Sequence, residues 1–163
     1  MTYTRGASAL PVTIALAKDH MRLAHDDEDL IVSTYLMAAA REIEAYAEIA
    51  LAVQTVQFVG VPVDGLLVLP VGPLADDPAV TINGVPVSTG IAGGRYPSIA
   101  LPDVSELVAV TYQAGFTTVP DDLQLAVLEQ AAFAYDNRGT IDAKPGLTPA
   151  AARICARYRR VRA

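Results

Sequence analysis

A single cysteine, Cys155, stands in a chain of 163 residues, so neither an intrachain disulfide nor a cysteine-based zinc cage is possible. A cytosolic site of synthesis is the simple expectation. The only histidines, His20 and His25, are five apart. That is about 140° around a helix, so they do not share a face as zinc ligands at i and i+4 do. Surface or boundary positions near a helix end suit them. No apolar run reaches the ~18–20 residues of a membrane span. The start, Met1 to Gly6, lacks a charged segment followed by an apolar core and a cleavage site. The expectation is no membrane partner and no secreted form.

Charged residues are scarce, at 18%, against 52% apolar ones, which excludes an intrinsically disordered chain. Glycine and proline, 11 of each, are scattered, which excludes a collagen-like repeat. The length suits one domain, and a chain of this size buries roughly 68–70% of its unfolded surface without a disulfide or metal.

What is present is a charge asymmetry. Residues 153–163 hold Arg153, Arg157, Arg159, Arg160 and Arg162 and no acid. The other 152 residues keep seven basic side chains against 18 acidic ones, a net −11. An acidic body argues against a nucleic-acid-binding core. A basic tail suggests contact with a charged partner.

Three zones follow one another. From about Pro11 to Ala52 the pattern is helical. Pro11 suits the start of a short first helix running through Leu16 and His20 to Leu23. Asp26 suits the N-cap of a second, with Asp27, Glu28 and Asp29 in its first turn against the positive end of the dipole. Ile31, Tyr35, Ala39, Ile43, Tyr46 and Ala50 recur at three or four residues and predict the buried face, with Thr34, Arg41, Glu44 and Glu48 on the other. From about Val53 to Gln113 the pattern is that of strands: Val53–Val59, Leu66–Leu69, Val80–Ile82, Val85–Val87, Ser98–Leu101 and Leu107–Tyr112. Asn83-Gly84 predicts a two-residue type I′ hairpin turn, and Pro86 puts its strand at an edge. The third zone is helical again, from Pro120-Asp121-Asp122 to Asn137 or Arg138, where Gly139 suits the C′ position. Thr148-Pro149 predicts a cap and first turn for a last helix to about Arg160. Strands and helices do not alternate, so the fold class is α+β: helix–helix, a small antiparallel sheet or sandwich of about six short strands, then helix–helix. The division is residues 1–147 as one domain and 148–163 as a basic C-terminal helix or tail.

Catalytic and ligand signals are weak. Counting from Asp26, an EF-hand would need glycine sixth and glutamate twelfth, where Ile31 and Met37 stand. The glycine-rich stretch Gly90 to Arg95 lacks a following Lys-Ser/Thr and leads into a strand, so a loop between strands is expected rather than a phosphate site. Serines 8, 33, 88, 98 and 105 lack a nucleophile elbow. Cys155 suits a small filler on a helix face. No enzyme activity, metal or cofactor is expected. In the tail, Arg153, Arg157 and Arg160 share one helix face, with Ile154, Tyr158 and Val161 about 100° away. Such a basic amphipathic helix suits an acidic protein surface or, alternatively, a small nucleic-acid-binding role. It equally suits a solvated tail paired with the chain's own acids.

Several pieces in order resemble one family. They are His20-Met21-Arg22-Leu23, Leu30-Ile31, Ala39-Ala40-Arg41-Glu42-Ile43-Glu44, and Gln54-Thr55. Next come Leu69-Pro70-Val71-Gly72-Pro73-Leu74 and Val110-Thr111-Tyr112-Gln113-Ala114-Gly115-Phe116. Val119-Pro120-Asp121-Asp122-Leu123, Ala134-Tyr135 and Arg138-Gly139 complete the set. From about Leu10 to Gly139 the chain resembles the head–tail connector (adaptor, or head-completion) proteins of long-tailed phages and phage-derived gene transfer agents. The resemblance implies a structural virion protein of the head–tail junction that forms a ring, commonly of twelve subunits. Its implied partners are the portal protein and a tail-side stopper or terminator, with double-stranded DNA passing non-specifically through the central channel. It also implies that the C-terminal region docks on the portal. The residues expected there are Arg153, Ile154, Arg157, Tyr158, Arg159, Arg160 and Arg162.

Overall fold

The computed structural model describes residues 2–76, 80–87, 90–94, 97–101, 104, 106–139 and 146–159. The chain divides into two compact units. One comprises the first nine residues and Glu48–Thr118, the other Leu10–Ala47 and Val119–Arg159.

The first unit is a pair of antiparallel sheets. Its strands are β1 (Thr2–Arg5), β2 (Gln54–Gly60), β3 (Leu66–Val68), β4 (Val80–Ile82), β5 (Val85–Val87), β6 (Ile91–Ala92), β7 (Ser98–Ala100) and β8 (Val108–Ala114). The five-stranded sheet runs β1-β2-β8-β4-β5 and the three-stranded sheet β3-β7-β6. In β2 buried and exposed residues alternate without a break, as a strand with one face on a core requires. Val56, Phe58, Val110 and Tyr112 from the larger sheet share one core with Leu67 and Ile99 from the smaller. Asn83 and Gly84 have φ of 49° and 82°, the two positive values of the type I′ turn expected there. Pro86 lies in the edge strand β5, also as expected. The α+β class holds, but among the described residues the strands number eight rather than six. The two additional ones, β1 and β6, are short, and all of β1 but Arg5 is exposed, so neither leaves an apolar alternation to detect. The Gly90 loop accordingly contains β6, paired with β7.

Tyr112 closes the core. Its ring is fully buried, and its hydroxyl donates to the Val71 carbonyl at 3.1 Å and accepts from the Val71 amide at 3.2 Å. Gly115 follows at φ 128°, and a Cβ there would stand 2.3 Å from the Ala52 carbonyl oxygen. No side chain fits.

The second unit holds α1 (Ile14–Met21), α2 (Asp29–Ala47), α3 (Asp121–Asp136) and α4 (Pro149–Cys155). The first helix opens later than Pro11 predicts, because Thr13 is the cap: its Oγ1 accepts the Leu16 amide at 3.3 Å. Asp26 does not cap α2 through its side chain. Its carboxylate accepts a hydrogen bond from Lys18, which holds Asp26 below its ordinary pKa. The buried stripe of α2 is Val32, Leu36, Ala39, Ala40, Ile43 and Ala47, one residue on from the expected face at its start. Ile31 is therefore exposed, and Glu44, expected on the polar side, is buried. The shift arises because Tyr35 flanks the stripe, its ring edge-on to Tyr135 at 5.8 Å between centroids.

Replacing Gly115 by Ala is expected to destabilise the protein by on the order of 3 kcal/mol or more, through a strained φ and a main-chain clash. Tyr112→Phe leaves the amide and the carbonyl of buried Val71 without this partner and is expected to cost about 1–3 kcal/mol. Thermal unfolding checks both, at about 2–4 °C of Tm per kcal/mol. Unchanged midpoints would refute the assignment.

Candidate functional site

The C-terminal segment carries five of the chain's 12 basic residues and is the one place where sequence reasoning located a binding region. Thr148 starts it as predicted: its Oγ1 accepts the Ala151 amide at 3.2 Å, with Pro149 in the first turn. Gln130 of α3 fixes this cap. Its Oε1 accepts the Thr148 amide at 2.8 Å, while its Nε2 donates to Glu42 at 2.8 Å and to the Gly146 carbonyl at 3.4 Å. One buried amide thus ties α2, α3 and the entry to α4 together.

The regular helix ends at Cys155 rather than near Arg160. Beyond it the Arg157 and Tyr158 amides bond three residues back, to Ile154 and Cys155, and tighten the last turn. Side-chain anchors account for this. Tyr158 is half-buried and donates from its hydroxyl to Asp122 Oδ1 at 2.7 Å. Arg157 Nη2 lies 3.7 Å from Asp122 Oδ2, so one carboxylate receives both neighbours. The Arg159 guanidinium lies 5.2 Å from the centre of the Tyr46 ring.

The expected residues therefore divide. Arg153, Arg157 and Arg159 are exposed cations. Ile154 is 2% exposed, packed inside the helical unit with Ala151 and Cys155, and does not offer its side chain to a partner. Its position on the apolar side of α4 explains this, because three small or branched residues at i, i+3 and i+4 form the packing face. Arg160 and Arg162 lie outside the described residues. Asp122, Gln130 and Tyr46 were not anticipated as parts of the site. In the sequence Asp122, Glu129 and Asp136 stand seven apart and so share one side of α3, which is a trace of Asp122, whereas Gln130 left none.

The hydrogen bond to a carboxylate from Tyr158 contributes about 1.5–3 kcal/mol, more than the exposed Arg157 pair, at about 0–1 kcal/mol. Burial first, and the hydrogen bond to Asp122 second, push Tyr158 up to about 12. Burial, then the charge of Asp122, push Cys155 up to about 11. A thiol so raised is a poor nucleophile at neutral pH. Among the described residues no group of three or more His, Cys, Asp or Glu is placed to hold a metal ion.

No protein-family model and no curated protein matches the chain. Solved structures do. A chain in the neck of an empty gene transfer agent particle, in six-fold symmetry, superposes with a TM-score of 0.78 at 25% identity. The match covers 100% of this chain and 97% of that one. The fold is that of a gene transfer agent neck protein. A chain of the native gene transfer agent virion gives 0.79 at 23% identity, and one in the native neck in twelve-fold symmetry gives 0.74 at 23%, with the same coverage. The resemblance to head–tail connectors read from the sequence holds, and the shared fold extends past Gly139 to the C-terminal segment.

Asp122→Ala is expected to release the last turn of this neck-protein fold. Amide exchange at residues 157–159 and tryptic cleavage after Arg157 should quicken, and rates equal to the wild type would exclude the clamp. A pH dependence follows as well. Both raised groups favour the protonated folded state, so their contribution is complete below the ordinary cysteine value of 9.0. It is lost as pH rises through about 11 and about 12. Unfolding midpoints should fall across that alkaline range, and Cys155→Ala should flatten the first part of the fall.

Proposed function

We propose that the chain is a structural protein of the neck of a phage-like particle, where it forms an adaptor ring between the portal and the tail-side assembly. The observation that carries this is the full-length match to a gene transfer agent neck chain at 25% identity and a TM-score of 0.78. The neighbouring structures are components of particles, which supports a role without catalysis. Their necks have six- and twelve-fold symmetry, which supports a ring, and a twelve-subunit ring is the form we favour. A stopper or terminator protein is the tail-side partner in this reading.

The charge arrangement agrees with the role. A body of net −11 repels phosphate, so double-stranded DNA passes a ring of such subunits without sticking. The exposed cations Arg153, Arg157 and Arg159, with Arg160 and Arg162 following in sequence, suit an acidic groove on the portal. Tyr158 and Ile154 serve that contact indirectly, by fixing the segment to α3.

Electron microscopy of the protein mixed with the portal of the same particle tests the proposal. The expected result is a ring of defined subunit number seated on the portal. Charge reversal at Arg153 should weaken binding to the portal by tenfold or more and leave the melting curve within about 2 °C, since surface substitutions change stability little. A protein that stays monomeric beside portal rings at high concentration would refute it.

A further inference from the structure

The two oxygens of Asp122 have different roles. Oδ1 accepts the Tyr158 hydroxyl at 2.7 Å and the Leu123 amide at 2.9 Å, so it belongs to the anchor of the C-terminal segment. Oδ2 lies 3.7 Å from Arg157 Nη2, beyond hydrogen-bond length, and acts on it through charge alone. The anchor does not require that charge. A neutral acceptor in the place of Oδ1 would also hold the Tyr158 hydroxyl, though about half as strongly.

The effect of the charge falls on the cations of the segment. Arg153, Arg157 and Arg159 are exposed, and no acid follows Asp142 in the sequence. Left to themselves, such cations bind the phosphate backbone of nucleic acid whatever its sequence. Arginine and tyrosine side chains are both common donors to phosphate oxygens. The neighbouring acids are placed differently. Asp121 stands exposed at the start of α3, Glu129 Oε1 lies 3.8 Å from His20 of α1, and Glu42 of α2 accepts from Gln130. Of the acids on α3, Asp122 is the one that pairs with an arginine of the segment.

We propose that Asp122 is the specificity-determining residue of the C-terminal segment: one oxygen holds the segment and the other withholds Arg157 from phosphate. The inference rests on the neck reading, in which double-stranded DNA passes through a ring of these subunits and must not be held there. A protein groove meets the pair without loss, because it can set a hydroxyl or a cation opposite the carboxylate and a carboxylate opposite the guanidinium. Phosphate brings only acceptors and negative charge, so it gains Arg157 and meets Asp122 in the same contact.

Asp122→Asn separates the two roles, since its carbonyl oxygen still accepts from Tyr158 while its amide no longer attracts Arg157. Fluorescence anisotropy with a short labelled DNA duplex at low salt reads the effect, and affinity for portal rings of the same particle is measured beside it. The variant is expected to bind the duplex about three- to fivefold more tightly than the wild type, the range that an exposed ion pair allows. The slope of log affinity against log salt should steepen by about 0.9, one phosphate contact. Portal affinity is expected not to rise. Adding Arg157→Gln should abolish the gain for DNA. Tyr158→Phe, which weakens the anchor and keeps the carboxylate, should show no such gain. Unchanged DNA binding, an equal rise for DNA and portal, a gain that survives Arg157→Gln, or the same gain in Tyr158→Phe would each overturn the proposal and leave the neck role standing. A wild type that binds no portal ring would overturn the neck reading, while the DNA comparison still decides the part of Asp122.

Discussion

Three stretches of main chain, at 49–52, 71–75 and 113–116, meet in the sheet unit, and at Gly115 they leave no room for a side chain. Backbone hydrogen bonds link them. The Ala50 amide bonds the Gly72 carbonyl at 2.9 Å, the Gly115 amide bonds Pro73 at 2.9 Å, the Ala75 amide bonds Gln113 at 3.1 Å and the Phe116 amide bonds Leu51 at 3.2 Å. Such groups, buried, must be paired or cost heavily, so the three stretches form together or not at all. Gly115 is the residue that permits the crossing, and Tyr112, three residues earlier, holds the second stretch through both polar groups of Val71. The sequence passes between the two units just beyond this crossing, at Ala47–Glu48 and at Thr118–Val119.

The helical unit depends on polar contacts of a different kind. Gln130, which is buried, and Asp122, which is half-buried, lie eight residues apart on α3. Gln130 holds the beginning of the C-terminal segment and Asp122 holds its end. Both act on a seven-residue helix, which is too short to persist by itself in water. The order of the segment is therefore a property of α3, and any partner that reads its arginines reads them as α3 presents them.

How much of this was legible follows from the range of each cause. Local causes were visible: the Asn83-Gly84 turn, the Thr148-Pro149 cap, the β-branched, partly alternating run Val53–Val59 and the proline-led start of α3 each have a signal within a few residues. Long-range causes were not. The face of α2 was misplaced by one residue because Tyr35 answers to Tyr135, a hundred positions away. The last helix was drawn too long because its end is set by Asp122 and Tyr46 rather than by a stop signal. Ile154, expected at the partner contact, is buried instead, because spacing says which residues share a face and not what covers that face. The recurring pieces Leu69–Leu74 and Val110–Phe116 lay between these cases. Their order carried the family resemblance, but the reason for the order is the crossing of main chains, which only the fold displays.

For the proposed portal contact, the anchoring of the tail changes the energetics in a definite direction. A disordered basic tail would lose backbone freedom of about 1–2 kcal/mol per residue on docking, which offsets much of what each arginine contributes. Residues 149–159 are already fixed by Thr148, Tyr158 and Arg159, so that loss has been met within the protein's own fold. The same anchoring limits the arginines' gain, because Arg157 must share itself with Asp122. Charge asymmetry alone admitted a DNA-binding tail. A tail bound through its aromatic and apolar residues to an acidic helix brings that helix's carboxylates to any surface it meets. Phosphate would face Asp122 along with Arg157, whereas a protein groove can supply a cation or a hydroxyl opposite the acid and a carboxylate opposite the arginine. The mixed charge of the segment thus favours a protein over a nucleic acid as its target.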